Sequence, residues 1–232
     1  MSGDRQRQQA VTGLRERHKT RTRTALRNAA LELYLSRGFD ATTVEDVARA
    51  VDVSPRTFFR YFATKSDVVV APYVELFDQW ETVIRTAPAG RPLIDVLRDA
   101  SHLVTDAYEH DSEFWDRHHQ AVTTDPDLGP VMLQTQARLQ QRATITLAAR
   151  LGLDARGDLR PRILAAAAMA ATGSAVAQWY AGGQRGNRGR LIDAAYAQIT
   201  PAAKLLEMPC PAPSANHEQG PGRGESSHEG PG

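Results

Sequence analysis

Apolar residues return every three or four positions along most of the chain, and no stretch alternates with the period of two that marks a half-buried strand. The pattern predicts an all-α protein. Leu26, Ala29, Ala30, Leu33 and Tyr34 share one face of a helix expected over residues 19–37. Val44, Val47, Ala48 and Val51 line a shorter helix, and Phe58 and Phe62, four apart, line the inward side of the next. A longer helix runs toward Thr86 behind a Thr64-Lys65-Ser66-Asp67 cap. Pro72 lies inside it and should kink or split it, because its ring removes a hydrogen bond and crowds the preceding turn. Further helices are expected over 92–109, 112–122, 128–151, 158–182 and 188–206, punctuated by Asp125-Pro126, Gly152 and Gly182-Gly183.

The signals around the two short helices are the most specific in the chain. Thr42-Thr43-Val44-Glu45 reads as a capping box between Thr42 and Glu45. Asp52 sits where a tight turn needs left-handed backbone, which Gly takes most easily and Asp tolerates. Ser54 can cap the next helix, with Pro55 at its first position, where a missing N–H costs nothing. Pro55, Arg56, Phe59 and Arg60 then fall opposite Phe58 and Phe62. Two short helices, a tight turn and a basic, aromatic second helix make a helix-turn-helix, whose second helix fits the major groove of DNA.

A DNA reading assigns roles. The starts of the two helices make Thr43 and Ser54 candidate backbone clamps for phosphate. Arg56 and Arg60 are long donors, one of which can read guanine with a bidentate bond. Thr57 suits a thymine methyl, a phosphate or simple local packing, and Phe59 suits a thymine methyl or a sugar. Residues 1–18 form a polar, basic arm expected to be mobile when free. Arg15, Arg17, Lys19, Arg21 and Arg23 can follow the backbone or enter the minor groove.

The string Thr42-Thr43-Val44, Val47-Ala48, Val51-Asp52-Val53-Ser54, Thr57-Phe58-Phe59-Arg60-Tyr61-Phe62 and Lys65 closely resembles the TetR family of bacterial transcriptional regulators. Ala29-Ala30-Leu31-Glu32-Leu33-Tyr34 and Arg37-Gly38-Phe39 resemble that family's first helix and its glycine stop. Asp52 stands where the family usually has Gly, and Phe59 where it usually has Tyr. The resemblance implies phosphate contacts for Tyr61 and Lys65. It also implies a helical C-terminal domain for ligand binding and dimerisation, its last two helices forming a four-helix interface. Leu164, Met169, Ala171, Ile192, Tyr196 and Leu205 are the residues it nominates there. Gln178-Trp179-Tyr180-Ala-Gly-Gly resembles an actinobacterial branch, some members of which respond to acyl-CoA-like ligands.

Charge sharpens the division. Net charge is only +1. Residues 1–65 carry 13 Lys/Arg against 7 Asp/Glu, and the remainder 15 against 20, a basic head on an acidic body. The expected organisation is an arm over 1–18, a DNA-binding domain over 19–65, a ligand-binding and dimerisation domain over 66–207, and a disordered tail rich in Pro, Gly, Ser, Glu and His over 208–232. The aromatic residues of the body make Tyr73, Phe77, Trp80, Tyr108, Trp115 and Trp179 candidates to line an effector pocket, with Phe114 and Tyr180 nearby in sequence.

Other classes find less support. The polar opening Met1-Ser-Gly-Asp-Arg-Gln-Arg has no signal segment, and the lone Cys210 has no disulfide partner, which points to the cytoplasm. The uncharged run Ile163–Gln184 is long enough for a membrane span. It is mostly Ala and broken by Thr172, Gly173, Ser174 and Gln178, so a buried helix is expected. Asp111, Glu113, Asp116, His118 and His119 are the densest metal-capable group, but adjacent histidines on a helix point about 100° apart and cannot share an ion as residues four apart do. No phosphate-cradling Gly loop, nucleophile elbow or Cys pair is present. No enzyme, cofactor or metal is called for. The reading is a homodimeric regulator of a double-stranded palindromic operator, a repressor released by a small hydrophobic or acyl-type effector. An activator, a DNA-coating protein and a metal-dependent enzyme are the alternatives.

Overall fold

A computed structural model describes the backbone of residues 2–184 and 187–207, and side-chain surroundings for 17–184, 187–204 and 206. The expected disordered tail with Cys210, and the side chains of Arg15 and Leu205, lie outside the described residues. Nine helices appear among those described: α1 Ser2–Arg37, α2 Val44–Ala50, α3 Pro55–Phe59, α4 Asp67–Thr86, α5 Leu93–His110, α6 Ser112–Thr124, α7 Leu128–Leu151, α8 Arg160–Ala181 and α9 Arg188–Glu207. The basic arm is the N-terminal continuation of α1. It carries four Arg and three Gln, which are good helix formers, and it holds no Pro. α4 passes through Pro72 as one helix.

Two apolar clusters hold the molecule. In the first, Leu26, Ala30 and Tyr34 of α1 pack with Val47, Phe58 and Phe62, and the cluster continues through Val68 and Val69 into Tyr108, Phe114, Trp115 and Leu128. The head therefore has no closed core of its own; its interior runs into α6. The second cluster joins the C-terminal half of α4 to α5, α7, α8 and α9 through Ile84, Leu97, Leu147, Leu164, Ile192 and Tyr196. Tyr196 shares its hydroxyl with Ser101 Oγ at 2.8 Å, and Thr172 donates to the same Ser101 oxygen at 2.9 Å.

This packing corrects the expected dimer residues. Leu164, Ala171, Ile192 and Tyr196 are buried within the chain itself, and Met169 is partly buried. α8 is not enclosed all round. Ile163, Ala170, Gly173, Ser174 and Ala177 form an exposed, small and mostly uncharged stripe along it. Ala194, Ala197, Pro201 and Ala202 are exposed on α9. No helix of the described residues is long and apolar enough to cross a membrane.

Candidate nucleic-acid interface and effector cavity

The candidate reading helix, α3, is short and closed at its start. Ser54 Oγ accepts from the Thr57 amide at 3.2 Å and pairs with the Thr57 hydroxyl at 3.1 Å, with Pro55 at the first turn. The Thr57 hydroxyl is thereby used within the cap. Asp52 takes the left-handed conformation at φ 56°, the turn position its short polar side chain tolerates. The box on α2 lies one residue later than the sequence suggested. Thr43 accepts from the Asp46 amide at 3.1 Å, and Asp46 accepts from the Thr43 amide at 3.1 Å. Thr42, expected as the cap, is buried and donates its hydroxyl to the Gly38 carbonyl at 2.8 Å. The Thr43 bonds to Asp46 hold that carboxyl below the usual range.

Phe58 is fully buried, while Pro55, Arg56, Phe59 and Arg60 stand in solvent. Phe59 is 54% exposed, a large apolar ring left outside on the basic face. The Arg60 guanidinium lies 5.2 Å from the half-exposed Tyr61 ring. Lys65, expected at a phosphate, is turned inward. Its ammonium donates to the carbonyls of Phe39 at 2.6 Å, Thr42 at 2.9 Å and Asp40 at 3.4 Å. Three carbonyls take its three donors. Arg23 of α1, expected along the DNA, is likewise directed at the body, pairing with Glu75.

Polar contacts fix the head to the body. Arg27 pairs with Asp111 at 3.1 Å and lies 3.6 Å over the Phe114 ring. Asp125, between α6 and α7, accepts from the Phe39 amide at 2.5 Å, next to Gly38 at φ 88°. His118 donates Nε2–H to the Val69 carbonyl at 2.9 Å. Burial pushes its pKa down to about 4, because the charged ring has no water around it. His119 stacks on Tyr180 with ring centres 3.7 Å apart. The histidines and Asp111 of the metal-capable group thus have separate structural partners, and no group of three ligating residues occurs among those described.

Between α4, α5, α7 and α8 lies a cavity of about 280 Å³. Tyr73, Phe77, Trp80 and Tyr108, all expected, line it together with Leu76, Val104, Met169 and Val176. Phe77 and Trp80 stack at 5.2 Å, and the Tyr73 and Tyr108 hydroxyls pair at 3.3 Å. Desolvation raises the pKa of both tyrosines, so the phenols stay neutral. No Asp, Glu, Lys or Arg lines the cavity. Trp115 and Trp179, also expected here, do not reach it. Trp115 is buried behind Tyr108, stacked on it at 4.3 Å, and Trp179 faces the start of α9.

The model of the tetR family of bacterial regulatory proteins matches residues 26–71, and the model of the MftR C-terminal domain matches 91–204. The chain is 33% identical over 179 residues to the HTH-type transcriptional regulator TcmR of Streptomyces glaucescens, covering 72% of this chain and 77% of that protein. The chain belongs to the TetR family of transcriptional regulators. Among solved structures, Salmonella enterica GusR is similar with a TM-score of 0.53 and 19% identity, over 79% of this chain and 95% of GusR. NalD, described as the secondary repressor of the MexAB-OprM multidrug efflux pump in Pseudomonas aeruginosa, is similar with a TM-score of 0.52 and 19% identity, over 80% and 96% of the two chains. These likenesses show the TetR fold.

As a TetR-family regulator the protein is a helix-turn-helix DNA-binding factor with a C-terminal ligand-binding domain. Sequence reasoning missed Leu76, Val104, His119, Met169, Thr172 and Val176 as cavity residues. Helical spacing offered only a partial signal. Leu76 and Trp80 on α4, Val104 and Tyr108 on α5, and Thr172 and Val176 on α8 are each four apart, but no such pair says which helix faces it.

Proposed function

We propose that this protein is a homodimeric repressor that grips a palindromic operator with α3 of each protomer and lets go when a small hydrophobic molecule fills the α4–α5–α7–α8 cavity. The observation that carries the reading is the split of α3, with Phe58 buried and Arg56, Phe59 and Arg60 exposed. Arg56 and Arg60 read bases or phosphates, and Phe59 packs against a thymine methyl or sugar. Thr43, Ser54, Pro55, Thr57 and Tyr61 carry the backbone contacts. Lys65 acts through the loop it holds. Repression by NalD, as that protein's description states it, agrees with this sign of regulation.

The effector is uncharged where it enters the cavity, since the wall is mostly apolar, its polar groups are the neutral phenols with His119, Gln136 and Thr172, and no Asp, Glu, Lys or Arg lines it. Occupancy favours a dimer whose two α3 helices no longer match successive major grooves, so operator affinity falls. Dimerisation uses the exposed small-residue stripes of α8 and α9, where backbones can approach closely. The protein acts in the cytoplasm and performs no catalysis.

A gel shift with DNA from upstream of its own gene tests the reading. Arg56→Ala should abolish preference among sequences and leave the dimer intact, and binding should weaken steeply with salt. Equal binding of all sequences by the unaltered protein would instead make it a DNA-coating protein.

A further inference from the structure

Three buried donors without acceptors lie side by side where α8 and α9 meet α5 and α6. Nε and Nη1 of Arg188 and Nε1 of Trp179 are buried and bonded to nothing among the described residues. Only 4% of Arg188 is exposed. Its guanidinium carbon lies 3.4 Å from the centre of the Trp179 ring and 5.2 Å from that of Tyr108. A cation on an aromatic face is attracted to it, but its charge is not neutralised and its N–H groups find no acceptor there. Unpaired buried charge is among the costliest features a fold can carry, so the missing partner is informative.

Arg188 and Trp179 line a recess of about 320 Å³ together with Glu109, Ser112, Asp116 and Gln184. Arg188 opens the twenty-residue α9 and Ser112 opens α6, so the positive ends of two helices border it. The two carboxylates bound what can enter. Asp116 and Glu109 are half-buried and exposed respectively, and Asp116 already accepts from the Tyr180 hydroxyl at 3.2 Å. A dianion would face both of them, whereas a single negative charge seated on Arg188 is offset by the guanidinium.

We propose that this recess binds the carboxylate of a small monoanionic ligand, with Arg188 as its counter-ion and the Trp179 indole N–H as a second donor. It is a different site from the apolar cavity. Tyr108 is the common wall, lining the cavity and lying under Arg188. The two sites thus take ligands of opposite character, one uncharged and one anionic, with Tyr108 touching both. The proposal stands whether or not the operator reading does.

Calorimetric titration of the full chain with acetate, benzoate and octanoate tests it, with benzamide and inorganic phosphate as comparisons. At least one carboxylate should bind, benzamide should not, and phosphate should bind more weakly. Arg188→Gln should weaken carboxylate binding by about ten- to a hundredfold. Trp179→Phe, which keeps the ring and removes the donor, should weaken it several-fold, and Asp116→Asn should leave it unchanged or tighten it. If Arg188→Gln does not fold, Arg188→Lys decides, since it keeps the charge without the fork and should bind measurably but less tightly. No heat from any carboxylate, equal binding of benzamide, or tighter binding of phosphate would each overturn the proposal. Loss of thermal stability in Glu109→Gln or Asp116→Asn as large as in Arg188→Gln would also overturn it, by making those acids the natural partners of Arg188.

Discussion

The head and the body of this regulator are tied together over very different distances along the chain. In the head, Thr43 bonds Asp46, Ser54 bonds Thr57 and Thr64 bonds Asp67, each pair three residues apart. In the body, the buried Glu81 accepts from Arg142 and Thr146, 61 and 65 residues away, and Ser101 meets Tyr196 across 95. A short helix has too little surface to be held by packing alone, so its ends must be closed locally. A long helix is held by what it lies against.

The largest expected effect tests whether the head depends on its neighbours. Phe58→Ala should cost about 3–5 kcal/mol, because the ring is fully buried. Since the same apolar cluster reaches Trp115 and Leu128, melting followed by circular dichroism should show one lowered transition. Two separate transitions would mean that the head folds by itself. Next in size is acid. His118 is neutral when folded, with a pKa of about 4 against an unfolded value near 6.5, so its contribution is whole above pH 6.5 and drains away as pH falls toward 4. The loss should reach roughly 3 kcal/mol. His118→Gln, which keeps a donor for the Val69 carbonyl, should flatten that part of the stability–pH curve in urea titrations.

Smaller changes compare the two kinds of tie directly. Ser101→Ala removes the hydroxyl that joins the buried Tyr196 to Thr172 and should cost about 1–3 kcal/mol in stability, read from the denaturant midpoint. Ser54→Ala removes one cap and should cost about 1 kcal/mol, with a larger loss of operator binding than of global stability. Asp52→Gly should gain about 0.5–1 kcal/mol, since it relieves left-handed backbone on an L-residue. A destabilising Asp52→Gly would show that the carboxylate does more than tolerate the turn.

The same contrast explains what could be read from the sequence. Ser54-Pro55, Asp52 and the Phe58/Phe62 pair announce themselves because each acts on residues within one turn. The α2 box is off by one for an equally local reason. Thr42–Glu45 and Thr43–Asp46 overlap, and the choice is made by the Gly38 carbonyl, which takes the Thr42 hydroxyl. Helix spans in the body follow from periodicity, with 128–151 matching α7. Their facing does not. Periodicity gives Tyr196 and Ile192 an apolar stripe without saying whether the stripe meets the chain's own α5 or a second protomer. Trp115 and Trp179 look like Trp80 in sequence; only the placement of Tyr108 and Arg188 separates a cavity wall from a buried stack and a cation's seat. Lys65 is similar, since its three acceptors lie more than twenty residues upstream.

That lysine has a practical consequence for swapping DNA specificity between relatives. Residues 39–65 are closed into a loop by one side chain, with the ammonium at the last residue fastened to carbonyls at the beginning. The transplantable unit is therefore this whole loop with its fastener. A graft of α3 alone leaves the clasp in place, whereas one that adds or removes a residue between Phe39 and Thr42 pulls a carbonyl off the clasp. The reading helix would then be correct in sequence and wrongly aimed.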